Sequence, residues 1–362
     1  MHNTLLLQQF DLLATTPCGV ARLRELILTL AVQGKLVPQD PADEPASALL
    51  KRIRAEKDRL IAEGKIKRDK PLAPIGEDEQ PFELPVGWAW ARLGRLANFI
   101  DYRGKTPTKT VTGISLITAK NVRQGFINRQ PREFIAEADY AGWMTRGFPK
   151  VGDLLFTTEA PLGNVAVIDI QEPFALAQRV ICFGLYEIKM SGALAIFLRS
   201  PWMQSVFAEQ ATGVTAQGIK SARLQKIPIP IPPLAEQARI ATRVEELMRV
   251  CDALEATGQR QAAHHRQLVQ TLLGDLTADS HTSWQRVADH FDTLLDRPSA
   301  VDALEQTILQ LAVRGQLVPQ DPADEPASAL LKRIRVEKDR LIAEGKIKRD
   351  KPLAPIGEDE QP

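Results

Sequence analysis

The sequence predicts a mixed α/β domain combined with long α-helices that form an antiparallel coiled-coil spacer. Three observations carry this. A helical stretch of 55 residues occurs twice at an offset of 281. A heptad-patterned run begins just after residue 233. The residues before that run, 84–233, break into short β-rich segments separated by Gly, Pro and Thr. The expected organisation is a helical region and linker at 1–83, an α/β domain at 84–233, a long heptad helix at 234–279, and a second helical region with its linker at 280–362.

The chain has 362 residues, 44% of them hydrophobic and 25% charged, which suits an ordinary core-forming protein. No apolar run approaches the roughly 18 residues needed to span a membrane. The start, Met1-His2-Asn3-Thr4, lacks the basic opening of a secretory leader, and a cytoplasmic location is expected. Cys18, Cys182 and Cys251 lie far apart without a CxxC pair, which argues against a zinc site or a disulfide framework.

The first repeat copy, Ile27–Pro81, matches Ile308–Pro362 without a gap, and only four positions differ: Thr29/Gln310, Gln33/Arg314, Lys35/Gln316 and Ala55/Val336. The period is far too long for a solenoid and indicates internal pseudo-symmetry. Within the copy, Leu49, Leu50, Ile53, Lys57, Leu60 and Ile61 fall on one helical stripe that opens after Pro45 and is capped at Gly64. Asp69–Pro81 is rich in Pro, Gly and acid, and reads as an extended linker.

Residues 84–233 hold 17 Lys and Arg against 10 Asp and Glu, whereas both flanks are slightly acidic. A basic block in a nearly neutral chain points to a polyanion partner for that block. Strand-like runs lie at Ile114–Thr118, Asp153–Thr158, Val165–Ile168 and Val180–Phe183. A helix is expected from Ala193 to Phe207, kinked or split at Pro201. After Pro232-Pro233, the residues Ile240, Val244, Leu247, Cys251, Leu254, Gly258, Gln261, His265, Leu268 and Leu272 follow steps of four and three, with a weak polar stretch at Gly258–His265. A seam of that length needs a partner helix, in this chain or another.

Several motifs carry a family resemblance. Leu84-Pro-Val-Gly-Trp88, Gly104-Lys-Thr-Pro107, Val151-Gly-Asp-Leu-Leu-Phe156, Gly213–Lys220 and the proline-rich Ile227–Gln237 resemble the successive motifs of Type I restriction–modification specificity subunits. The opening of each repeat, Ile27–Leu36 in the first, resembles the helical region of the same family. The chain is read as a half-length form with one target-recognition domain; the competing explanation is truncation of a longer subunit.

The resemblance implies a non-catalytic subunit that binds double-stranded DNA, reads one half-site and docks modification and restriction subunits. No cofactor is expected in this chain, because S-adenosylmethionine would reside on the modification subunit. Two copies pairing through the connector helices would read a symmetric, split target.

Candidate DNA-contacting residues follow from side-chain chemistry. The loop Asp101–Thr112 offers Arg103, Lys105, Thr106 and Lys109 to phosphates. Lys120, Asn121 and Arg123 follow a strand, where Asn can pair with adenine and Arg with guanine; the alternative for Asn121 is a turn clamp. Thr158, Gln178 and Arg179 sit at strand ends; the alternative for Arg179 is an ion pair with Glu159. Thr215, Gln217 and Lys220 lie beside Gly213 and Gly218, where backbone approaches phosphate closely. There is no GxxxxGK[ST] pattern, no Asn-Pro-Pro-aromatic motif and no lysine after Glu159 at nuclease spacing. The competing reading is a helical assembly protein whose middle domain binds protein.

Overall fold

The computed structural model describes residues 18–102, 106–213, 217–278, 280–349 and 351. Its contacts divide the chain into two units, 1–259 and 260–362. The division runs through the long connector helix instead of following the four segments drawn from sequence.

In the first unit, α1 (Gly19–Val32) and α2 (Ala46–Ala62) form the first repeat copy. Leu23, Ile27, Leu28, Ala31 and Val32 line one side of α1, and Ala46, Leu49 and Ile53 one side of α2; all are buried. The α1 terminus is a Schellman turn. Lys35 N donates to Leu30 O at 2.9 Å and Gly34 N to Ala31 O at 3.2 Å. Gly34 has a φ of +66°, and an added Cβ would lie 2.5 Å from Pro85 and 2.9 Å from Trp88. Glycine therefore serves both the left-handed turn and the close approach of the segment that opens the next domain.

The linker after α2 is extended except for a single 3-10 turn at Glu77–Glu79, and it is not free. The buried Arg92 ties it down: Nε donates to Ala73 O, Nη2 to Pro74 O at 2.8 Å, and both Nη atoms reach the Glu79 carboxylate at 2.6 Å.

Residues 84–233 form the α/β domain. Its strand β1 (Ala89–Arg92) pairs antiparallel with β9 (Pro228–Ile231), so the chain enters and leaves along one ribbon. Between them, β2 (Ala97–Asp101), β5 (Leu154–Thr157), β6 (Val165–Val167) and β8 (Val180–Leu185) form an antiparallel sheet in the order β2-β8-β5-β6. A smaller sheet, β4-β3-β7, contains β3 (Ile114–Ile117), β4 (Phe134–Ile135) and β7 (Phe174–Leu176), with β3 and β7 parallel.

The larger sheet is buried on both faces. Leu154, Phe156, Ile181 and Phe183 join the core that contains the first repeat, whereas Leu155, Val180 and Cys182 join a second core with the smaller sheet. This explains the unbroken apolar runs, since alternate residues each find a different core. The remaining helices of the domain are α3 (Glu137–Trp143), α4 (Ser191–Leu198), α5 (Pro201–Gln210) and α6 (Ser221–Leu224). The helix expected over 193–207 is split at Pro201. Ser200 caps α5, its hydroxyl accepting from Met203 N at 3.3 Å, with Pro201 in the first turn.

The connector is one helix, α7 (Leu234–Ala278). Ile240, Val244 and Cys251 are buried on the expected seam, and 255–261 are exposed where the two units meet in sequence. Beyond that stretch the seam expectation fails. Leu268 is 51% exposed and its neighbour Val269 is buried with Leu273 and Leu276. A straight helix drifts about 20° per heptad from a strict 3.5-residue repeat. Four heptads after Ile240 that drift is about 80°, close to the 100° separating adjacent residues.

The second unit contains the last part of α7 with α8 (Ser280–Asp289), α9 (Phe291–Leu294), α10 (Pro298–Val313) and α11 (Ala327–Ala343). Val269, Leu273, Leu276, Val287, Leu294, Ala300 and Leu311 form its core. The second repeat copy thus reproduces the helices of the first; α11 and α2 coincide at the offset of 281. Their surroundings differ, for α11 buries no residue.

Candidate nucleic-acid interface

Strand ends of both sheets converge on one polar surface of residues 84–233. Thr158, at the end of β5, anchors it. Its backbone N donates to Arg179 O at 3.0 Å, its carbonyl accepts from Ile219 N at 3.0 Å, and its hydroxyl donates to Arg179 O at 3.3 Å. Three chain segments are thereby drawn together: the end of β5, the β7–β8 turn and the loop before α6. Gly218 completes the junction by bridging both Glu159 and Thr212.

Two clefts open on this surface. One, of about 300 Å³, is lined by Thr158, Glu159, Gln178, Thr212, Gly218, Ile219 and Lys220. The other, of about 170 Å³, is lined among others by Thr106, Lys109, Lys120, Glu133, Gln178 and Arg179. Gln178 belongs to both. It is half-buried in the β7–β8 turn, with a cation on either side in Lys120 and Lys220.

The candidate residues therefore divide. Thr106, Lys109, Lys120, Thr158, Gln178, Arg179 and Lys220 share this surface, and Gln217 is exposed in the adjoining loop. Arg103, Lys105 and Thr215 lie outside the described residues. Arg123 opens the tight turn Arg123–Phe126 and lines neither cleft.

Asn121 takes the turn role. It is 2% exposed; its Oδ1 accepts from Thr118 N and Oγ1 at 3.0 and 2.9 Å, and its Nδ2 donates to Asn128 O and Pro131 O. No side-chain group remains to face a base. Thr158 is buried with its hydroxyl committed to Arg179 O, so it shapes the site from beneath.

The electrostatics are mixed. Arg179 pairs with Glu159 at 2.8 Å, and Lys109 with Glu133 at 2.7 Å. Both cations stay about half exposed, and Lys120 and Lys220 are exposed as well. Four cations against two carboxylates leave the surface positive. Paired carboxylates also hold the long side chains in place, which lowers the entropy lost when an anion arrives. Among the described residues no group of three or more His, Cys, Asp or Glu could hold a metal ion.

Sequence reasoning missed Glu133 and the Arg92 clamp. Glu133 lies 24 residues from Lys109, and no local pattern joins them. Arg92 reads as an ordinary strand residue, and its five hydrogen bonds reach four residues, at positions 73, 74, 79 and 226.

Residues 85–264 match the Type I restriction modification DNA specificity domain. The chain is 42% identical, over 95% of its length, to the EcoAI specificity subunit of a Type I restriction enzyme from Escherichia coli. This chain belongs to the Type I specificity-subunit family. Identity to the EcoEI specificity subunit, also from Escherichia coli, is 40% over 95% of the chain. The chain spans 60% and 59% of the length of those two relatives. It is also similar to the crystal structure of the HsdS subunit from Thermoanaerobacter tengcongensis, with 21% identity, a TM-score of 0.35, and coverage of 75% of this chain and 56% of that one. No described helix of the subunit is long and apolar enough to cross a membrane.

Proposed function

We propose that this subunit reads one half-site of a split DNA target, and that the surface around Gln178 is the reader. The observation that carries this is the meeting of two clefts at a half-buried glutamine flanked by lysines. A Gln amide matches the N6/N7 edge of adenine in the major groove, while lysines neutralise phosphates on either side. Thr106, Gln217 and Arg179 supply further polar contacts at the rim.

The helices act as the spacer and as the docking surface for modification and restriction subunits. Their contacts support an antiparallel arrangement. Arg24 of α1 pairs with Asp252 and Glu255 of α7, whereas Asp43, further along the repeat, pairs with Arg239, nearer the start of α7. Methyl transfer belongs to the modification subunit, which brings S-adenosylmethionine, in the cytoplasm where the DNA lies. Two copies associating through their helices read a symmetric split sequence.

The test is methylation mapping on genomic DNA after co-expression with the modification subunit, for the wild type, Gln178→Ala, and Lys120→Ala with Lys220→Ala. Gln178→Ala relaxes the motif at one position, and the lysine pair lowers methylation at every site alike. A motif unchanged by Gln178→Ala overturns the assignment of the reader. An asymmetric wild-type motif overturns the pairing of copies.

A further inference from the structure

Arg199 is a partly buried cation of the α/β domain that lines neither cleft. It ends α4, just before Ser200 caps α5. Its Nε is buried, and among the described residues the guanidinium makes no hydrogen bond and no ion pair. Burial pulls its pKa down, and no neighbouring charge offsets that pull. An unpaired cation removed from water destabilises a fold. The domain keeps one nonetheless.

The group is also held in place. A Cβ at Gly125 would meet Nη1, Cζ and Nη2 of Arg199 at 2.7, 2.8 and 3.0 Å, so the face of the guanidinium lies over that glycine. Gly125 sits in the turn Arg123–Phe126, which is fastened on both sides. Gly125 N donates to Val165 O of β6 at 2.8 Å, and Gln124 Nε2 donates to Gly163 O at 3.0 Å. From α5, Gln204 Nε2 reaches the same Gly163 O at 2.9 Å and Leu198 O at 2.8 Å. The turn, the β5–β6 hairpin and the α4–α5 corner thus form one bonded frame around the group.

The surroundings suit a polyanion. Residues 119–132 carry Lys120, Arg123, Arg129 and Arg132 without one Asp or Glu, and 188–208 carry Lys189 and Arg199 without one. Gln124, Gly125 and Phe126 are exposed at the turn. Lys120 lines the smaller cleft, and the turn opens three residues later, a reach of at most about 11 Å.

We propose that Arg199 binds a backbone phosphate of the DNA duplex beside the reader clefts, with the Arg123–Phe126 turn lying along the strand. The planar guanidinium fork matches two phosphate oxygens at once. The phosphate supplies the counter-charge that the fold withholds. Such a contact positions the duplex without reading its sequence. The inference rests on the reading of this domain as a DNA binder, and not on the role of Gln178.

The experiment uses the full chain assembled with the modification subunit, and duplexes in which one phosphate at a time is replaced by an uncharged methylphosphonate. Neutralising the phosphate that meets Arg199 should weaken wild-type binding at least about tenfold. In Arg199→Met that replacement should have no effect, while replacements elsewhere act as in the wild type. The slope of log binding against log salt should fall by about 1 in the variant. Thermal melting of the full chain alone gives a second readout. Removing an unpaired, partly buried charge should leave the Tm of Arg199→Met equal to that of the wild type or higher. A phosphate profile identical in wild type and variant overturns the proposal. With a lowered Tm, that outcome makes Arg199 a cation serving the C-terminus of α4; with lost binding of the modification subunit, it assigns the guanidinium to an acidic partner surface. A wild-type complex that binds no duplex overturns the proposed function as well, whereas an unchanged motif in Gln178→Ala beside an Arg199-dependent profile overturns the reader alone.

Discussion

At the scale of single residues, the domain separates side chains that hold the site from side chains that present it. Asn121 and Thr158 are used up internally, whereas Gln178, Lys120 and Lys220 face outward. Asn121→Ala should lower stability by about 2 kcal/mol, because it orphans Thr118 N and two carbonyls, and it should leave the methylated sequence unchanged. Gln178→Ala should cost about 1–3 kcal/mol of discrimination at one base pair with no change in melting temperature. Each of Lys120→Ala and Lys220→Ala should reduce the slope of log binding against log salt by about 1 in the assembled complex.

The Arg92 clamp gives a pH prediction at the same scale. Hydrogen bonds from Arg92, and then from Gly76 N, hold the Glu79 carboxyl at about 2, below its ordinary 4.5. The folded state thus binds the proton less readily than the unfolded chain, and the clamp stabilises the fold fully above pH 4.5. That contribution fades as the pH falls from 4.5 towards 2. Thermal melts of the wild type and Glu79→Gln should therefore differ at neutral pH and converge across that window.

At the scale of elements, the duplicated helices provide an internal control, since α2 and α11 differ only at Ala55/Val336. Leu49→Ala opens a cavity in a shared core and should cost about 3 kcal/mol, whereas Leu330→Ala should stay within about 0.5 kcal/mol. Denaturant titration of the two variants measures the difference. The connector makes a parallel case. Leu276→Ala should destabilise the second unit by about 3 kcal/mol, and Leu268→Ala should be nearly silent despite its place in the heptad pattern. The pattern was legible as far as Cys251, where seam and burial coincide, and lost beyond the polar stretch, where helical drift rotates the packed line onto Val269.

At the scale of the whole molecule, two packing units that meet in sequence within one helix imply two cooperative transitions. Calorimetry should resolve them, with Leu49→Ala moving one and Leu276→Ala the other. The four-part organisation read along the chain described local composition well, but the packing units cut across it. The first repeat, one face of the larger sheet and the first part of α7 share a single core.

The repeat helices, the connector helix, the strands at 114–117, 154–157, 165–167 and 180–185 and the split at Pro201 were written in periodicity, capping and proline placement, because these are properties of neighbouring residues, whereas the short strands at 97–101 and 174–176 carried no such signal. The family and the basic block were equally plain in the order of side chains. Which residues of the 55-residue unit lie inside was not, since the same letters are buried at Leu49 and exposed at Leu330. Nor was the reader surface: its clefts form where Thr158 fastens segments from about 179 and 219 together, and its charge depends on carboxylates brought in from distant loops. Burial and electrostatics are sums over neighbours in space, so they existed only once the chain had folded.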